Sequence, residues 1–131
     1  MMLRLCLIPG YIEDNNAASI VVKFSDGDID YILTGDAPAE VEDALVASYG
    51  DFLDAEVLKA GHHGSNTSSS DLFLDTVTPE VAVIQVGADN RYGHPNFRVL
   101  KRLEARHIPV LRNDELGDIR MVSDGEVVEW R

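Results

Sequence analysis

The chain has 131 residues, an ordinary 45% apolar content, and 23 Asp and Glu against 11 Lys and Arg, for a formal charge of −12. One domain, residues 1–131, is the expectation at this length. So acidic a segment argues against a basic surface that holds nucleic acid by charge alone. An enzyme acting on phosphodiesters is not excluded, because bound cations reverse the local field. Cys6 is the only cysteine, so no internal disulfide can form. No apolar run approaches the ~20 residues that span a membrane. The opening MMLRLCLIPG lacks the long apolar stretch and small-residue cleavage site of a secretory leader. The expectation is a soluble, cytoplasmic protein with no membrane contact from this segment.

Leu3–Ile8 reads as a strand stopped by Pro9-Gly10, and Glu13 to Asn16 as loop. Ser19–Phe24 is rich in β-branched residues and reads as a strand. Asp26-Gly27 then turns it into a returning strand, Ile29–Leu33. Pro38 suits the first turn of a helix, with Glu40, Glu42 and Asp43 near the positive end of its dipole. Val41, Ala44, Leu45 and Ser48 give it one face, and Gly50 stops it. Glu56–Lys59 is a short strand and His62–Thr67 a loop. Ser68 and Asp71 resemble a capping box that opens a helix to about Val77. Val81–Val86 is a continuous apolar run of the kind found in buried parallel strands. Ala88–His94 is loop. Pro95 opens a helix to Arg106 with Phe97, Leu100 and Leu103 inward. Ile108–Leu111, Ile119–Val122 and Val127–Trp130 read as strands, the last two joined by a turn at Asp124-Gly125. The order implies a layered α/β fold with a mixed sheet and helices on one face. Charged residues on the helices, including Glu40, Glu42, Asp43 and Arg102, read as solvated. Arg102 and Arg106 form a like-charged i,i+4 pair that gives no support.

Three clusters carry chemistry, each just past a strand, where a rigid sheet holds the loops. In Leu33-Thr34-Gly35-Asp36, the Asp36 carboxylate can reach a metal or can cap the following helix. In Gly61-His62-His63-Gly64, two adjacent histidines sit between glycines that leave room for a metal or substrate. Imidazole is a common zinc ligand, although an exposed polar loop would look the same. The third cluster runs from Gly87 to Pro95 and offers Asn90, Arg91, Tyr92 and His94 for phosphate or carbonyl contacts. His94 could equally serve as an N-cap.

Taken together, NNAASIVV, ILTGD, VLKAGHHGSNTS and VGADNRYGHP resemble the metallo-β-lactamase superfamily, in the branch of the ComEC-type DNA-uptake competence proteins. The likeness covers roughly residues 15–125. It implies an αββα sandwich with a two-metal site between its sheets, of which this chain is the C-terminal half. Asp36 would be the bridging carboxylate, His62 the terminal metal ligand with His63 as the alternate, and His94 a rim residue that contacts substrate or donates a proton. A divalent metal, zinc or manganese, is implied.

The superfamily's principal ligand motif, H-x-[HD]-x-D-H, should precede the Gly-Asp pair, but no histidine occurs before His62. The expectation is therefore a partner, either a missing N-terminal half or a second copy. The function expected is a metal-dependent hydrolase, of phosphodiester or nucleic-acid type, or the C-terminal half of one. The alternatives are a non-catalytic interaction module that keeps the fold without the metals, and an α/β binding domain with an accidental His-His loop.

Overall fold

The protein is described here by a computed structural model that covers residues 2–6 and 15–131. The end of the first expected strand (Leu7 and Ile8), the Pro9-Gly10 turn, and Glu13 and Asp14 of the expected loop lie outside the described residues. Six strands form one mixed sheet in chain order: β1 (Met2–Cys6), β2 (Val21–Asp26), β3 (Ile29–Leu33), β4 (Val57–Lys59), β5 (Val81–Ile84) and β6 (Val110–Arg112). The first three pair antiparallel, and β3 to β6 run parallel. Helices α1 (Ala39–Tyr49), α2 (Asp71–Val77) and α3 (Phe97–Ala105) make the three crossovers between the parallel strands. A short helix, α4 (Asn113–Leu116), follows β6, and β7 (Met121–Ser123) pairs with β8 (Val128–Trp130) in a separate hairpin. No helix among the described residues is long and apolar enough to cross a membrane.

The strand sequences alternate between two faces, as the period of two requires. Ile32, Leu58, Ala82 and Ile84 point toward the helices and meet Leu45, Phe73, Leu74, Val77, Val99 and Leu103 in the main core. Each fully buried side chain of this size contributes roughly 1.5–3 kcal/mol. Ile29, Val57 and Val81 point the other way and are covered by Val128 of the β7–β8 hairpin. The opposite face is thus covered in part, while Leu33 at the far end of β3 stays exposed. The two Asp-Gly turns explain how the hairpin reaches the sheet. Asp28 N–H donates to the Gly125 carbonyl at 2.7 Å, and a side chain at Gly27 would collide with the Gly125 backbone.

Several local expectations are corrected. The cap of α2 is Ser70, whose Oγ accepts from Phe73 N–H at 3.2 Å. Ser69 takes a left-handed backbone (φ 55°), which breaks the chain direction between Ser68 and the helix. Ser68 instead donates its hydroxyl to the Ala37 carbonyl at 2.7 Å. Helix α3 starts after Asn96, not at Pro95, and its inner face is centred on Val99 and Leu103. Val99 and Leu103 are buried, whereas Phe97 is 67% exposed. Helix α4, with its short NDEL sequence, carries no apolar periodicity and was not expected.

The charged residues depart furthest from the solvated reading. Glu42 is fully buried beneath the Ser68–Ser70 segment. Its Oε1 and Oε2 accept from Ser69 and Ser70 N–H at 2.7 and 2.8 Å, supplying acceptors that no helix or sheet provides there. Arg102 donates to the carbonyls of Ser68 and Ser69 and to Asn66 Oδ1. Arg106 pairs with Asp71 and Asp75 at 2.9 and 2.7 Å. The like charges of the two arginines are therefore each separately neutralised or absorbed by carbonyls.

Burial raises the Glu42 carboxyl above its ordinary value of 4.5, and the two N–H bonds oppose that shift only in part. A raised native pKa means that its contribution to stability is fully present below 4.5 and is lost as pH rises through the native value. Denaturant unfolding from about pH 4 to about pH 8 should therefore show the wild type losing stability relative to Glu42→Gln as pH rises. Glu42→Ala should cost about 2–4 kcal/mol by orphaning two inward N–H groups. A cost near zero would mean that water replaces the carboxylate.

A second stability prediction concerns Gly64, which has φ 79° and sits against Pro95. An added Cβ would lie 2.7 Å from Pro95 Cβ and 3.1 Å from its Cα. Gly64→Ala should destabilise the chain by about 1–3 kcal/mol in the same measurement. An unchanged unfolding midpoint would show that the two loops do not bear on each other.

Candidate functional site

The site follows from the parallel register. Tyr31 to Leu33 pair with Val57 to Lys59, which pair in turn with Val81 to Val83. Three adjacent strands therefore end at one edge, and their loops, Thr34 to Asp36, Ala60 to Gly64 and Gln85 to His94, meet there. Sheet-edge hydrogen bonds continue into the loops. Ala60 N–H donates to the Val83 carbonyl at 2.9 Å, and His62 N–H to the Gly35 carbonyl at 3.0 Å. Thr34, fully buried, donates its hydroxyl to the Lys59 carbonyl at 2.9 Å.

Asp36 is not a helix cap. The N-cap of α1 is Pro38, with no side-chain cap bond. Asp36 is held by its own N–H, which donates to Ser19 Oγ at 3.1 Å, leaving the carboxylate free to face the histidines. His94 is not a cap either, since Asn96 Oδ1 caps α3 by accepting from Arg98 N–H at 3.0 Å.

His62 and His63 both adopt left-handed backbone angles, φ 47° and 54°. That conformation costs L-residues roughly 1–2 kcal/mol each and persists only where surrounding bonds hold it. Here the holds are the His62 N–H bond to Gly35, Ser65 N–H donating to the His62 carbonyl at 2.9 Å, and the His63 ring. His63 Nδ1 lies 2.6 Å from the Gln85 carbonyl oxygen. A carbonyl only accepts, so Nδ1 carries the proton. His63 Nε2 then points at Asp36 Oδ1, 3.6 Å away. This ring atom either bears a second proton and pairs with the carboxylate, or presents a lone pair to it. His62 turns elsewhere. Its Nδ1 lies 3.4 Å from Thr67 Oγ1, and its ring stands 6.4 Å from His63 and 5.8 Å from His94.

His94 lies across the site from these two. Its protonated form is disfavoured first by burial and then by repulsion from His62 and His63, so its pKa falls below the ordinary 6.5. Its Nδ1 is buried and has no hydrogen-bond partner among the described residues. Asn90 fixes the loop that carries it, accepting from His94 N–H at 3.0 Å and donating to the carbonyls of His94 and Gly87 at 2.8 and 3.0 Å.

The structure thus gathers Asp36, His62, His63 and His94 at one edge, with His63 rather than His62 nearest the carboxylate. Two further residues escaped sequence reasoning. Lys59 ends β4 with its ammonium withdrawn from solvent, donating to the Gly35 and Ala60 carbonyls at 3.0 Å each. Desolvation lowers its pKa, and the Asp36 charge partly opposes this. Ser19 supplies the hydroxyl behind Asp36. A lysine at the end of a strand gave a signal, but its target carbonyl belongs to the neighbouring loop and has no mark in sequence.

The donor chemistry suits a divalent metal only in part. Asp36 Oδ1 and His63 Nε2 offer two converging donors, yet among the described residues no three His, Cys, Asp or Glu side chains are grouped to hold an ion.

No family model matches the chain. It is 43% identical over 107 residues to competence protein ComA of Neisseria gonorrhoeae, covering 82% of this chain and 16% of that protein. To ComE operon protein 3 of Bacillus subtilis it is 39% identical over 105 residues, covering 80% of this chain and 13% of the relative. To recombination protein 2 of Haemophilus influenzae it is 36% identical over 107 residues, with 82% and 13% covered. The chain therefore spans only 13–16% of the length of these relatives. Over about four-fifths of its own length it is similar to part of much longer competence proteins, in keeping with the competence-type resemblance of its motifs.

Proposed function

We propose that this chain contributes one side of a metal-dependent hydrolase site of the metallo-β-lactamase type, acting on the phosphodiesters of nucleic acid in a competence-related process. The observation that carries this reading is the Asp36–His63 pair. With Nδ1 committed to Gln85, Nε2 of the neutral ring would present its lone pair to the Asp36 carboxylate across 3.6 Å. A divalent cation between them relieves that opposition, and the carbonyl bond is the usual way a metal-binding imidazole is oriented.

In this reading Asp36 and His63 are the first donors to zinc or manganese, and His62 is a further donor once its ring turns from Thr67. When bound, such an ion would supply an activated water and a charge to stabilise a leaving oxygen. Burial and the neighbouring histidines favour neutral His94, which stands at the rim to contact substrate or move a proton. The remaining ligands come from a partner surface, either a second copy of this chain or an additional polypeptide segment that carries the H-x-[HD]-x-D-H ligands. The shortage of converging donors also fits a non-catalytic interaction module with the same fold.

Calorimetric titration of the purified chain with zinc and with manganese separates these readings. Weak binding is expected, reduced at least about tenfold by Asp36→Ala or His63→Ala. It should also fade as pH falls, because the ligands must be deprotonated. Equal binding by the wild type and both variants would remove Asp36 and His63 from the site. No heat at any accessible concentration would favour the interaction module.

A further inference from the structure

The loop after β5 builds a second feature beside the Asp36–His63 pair. Tyr92 is 83% exposed. Its ring lies nearly parallel to that of His94, at 20° and 5.8 Å between centroids. His94 in turn meets His62 edge-on at 5.8 Å and 67°. The three rings form a row that leads from the candidate site out to solvent. The row is braced by the three bonds of the Asn90 side chain and by Pro95 packed on Gly64.

Beside the row opens a cleft of about 370 Å³, walled by Gln85, Val86 and Gly87 together with the rings of Tyr92, His94 and His63. Among the described residues, nothing stands within 4 Å of where a Gly87 side chain would project. The volume is near the lower end for ligand clefts, which suits one planar heterocycle and is too small for a helix. The exposed Tyr92 ring gains no burial within this chain, whereas aromatic rings exposed in this way serve as platforms for unpaired bases of any sequence. The adjacent Arg91 is also exposed and supplies a cation for the backbone of a bound strand. A paired base is stacked within its duplex and cannot enter the cleft.

We propose that Tyr92 and His94, with the cleft floored by Val86 and Gly87, form a stacking subsite for an unpaired nucleobase, so that the strand presented to the site is single-stranded nucleic acid. The subsite rests on the phosphodiester reading for its purpose, but it can be tested apart from it. Tyr92→Ala removes an exposed ring and should leave the thermal midpoint unchanged.

Binding of a short single-stranded DNA that carries a fluorescent purine analogue is followed by quenching, with the full chain, in manganese and in a chelator. We expect quenching with the wild type and with Tyr92→Phe, and about tenfold weaker binding with Tyr92→Ala. A matched abasic strand should bind wild type and Tyr92→Ala alike. The subsite is overturned if Tyr92→Ala binds the base-bearing strand as the wild type does. It is also overturned if the variant weakens base-bearing and abasic strands equally. Zinc calorimetry on the same samples keeps the two ideas distinct. Metal binding indifferent to Asp36→Ala, beside quenching that still depends on Tyr92, sinks the metal reading and leaves the subsite standing.

Discussion

Parallel pairing of β3, β4 and β5 is the constraint on which the rest of the molecule depends. It brings three strand ends level, and each strand is then followed by a loop that must turn back toward a helix on the same face. The loops have nowhere to go but alongside one another. A slip of one residue in any of these registers would exchange the two faces of that strand. Ile32, Leu58 and Ala82 would leave the helical core, and Lys59 would lose its place under the Gly35 carbonyl. The apolar faces thereby fix the geometry of the polar edge.

At that edge the backbone is held in an unfavourable form by interactions from elsewhere in the fold. Two consecutive left-handed histidines persist because their backbone is tied to Gly35 and Ser65 and one ring is tied to Gln85. Behind them, Glu42 and Arg102 fasten the Asn66–Ser70 segment from below, one accepting from its N–H groups and the other donating to its carbonyls. The segment lies outside any helix or strand, and these two charged side chains take the place of a ladder partner for its backbone.

Much of the architecture was legible in the sequence. The Asp-Gly turns, the β-branched runs and the glycine after α1 each act through local backbone preferences, so they could be read without knowing what packs on them. The sites of error share a cause. Ser68 and Ser70 are equivalent as capping residues in sequence, and only the left-handed turn at Ser69 decides between them. Phe97 looks like a core residue by spacing, but it is the first residue of α3 and the buried face centres on Val99 and Leu103. Glu42 and Arg102 look solvated because their partners are backbone groups some thirty positions away, which have no sequence signature. The same limit applies at the site. The Gly-Asp and His-His clusters stood out, but the orientation of the His63 imidazole depends on the Gln85 carbonyl, just past another strand.

Lys59 has a consequence for charge at this edge. Its ammonium is strained by desolvation and kept protonated in part by Asp36. Any cation that neutralises Asp36 removes that support and makes the Lys59 proton easier to lose. By reciprocity, a neutral Lys59 makes Asp36 a better home for a cation. Loss of the Lys59 proton and uptake of a cation at Asp36 therefore favour one another at the end of β4, so that corner of the sheet takes up a divalent ion with a smaller gain in charge than the ion alone would bring.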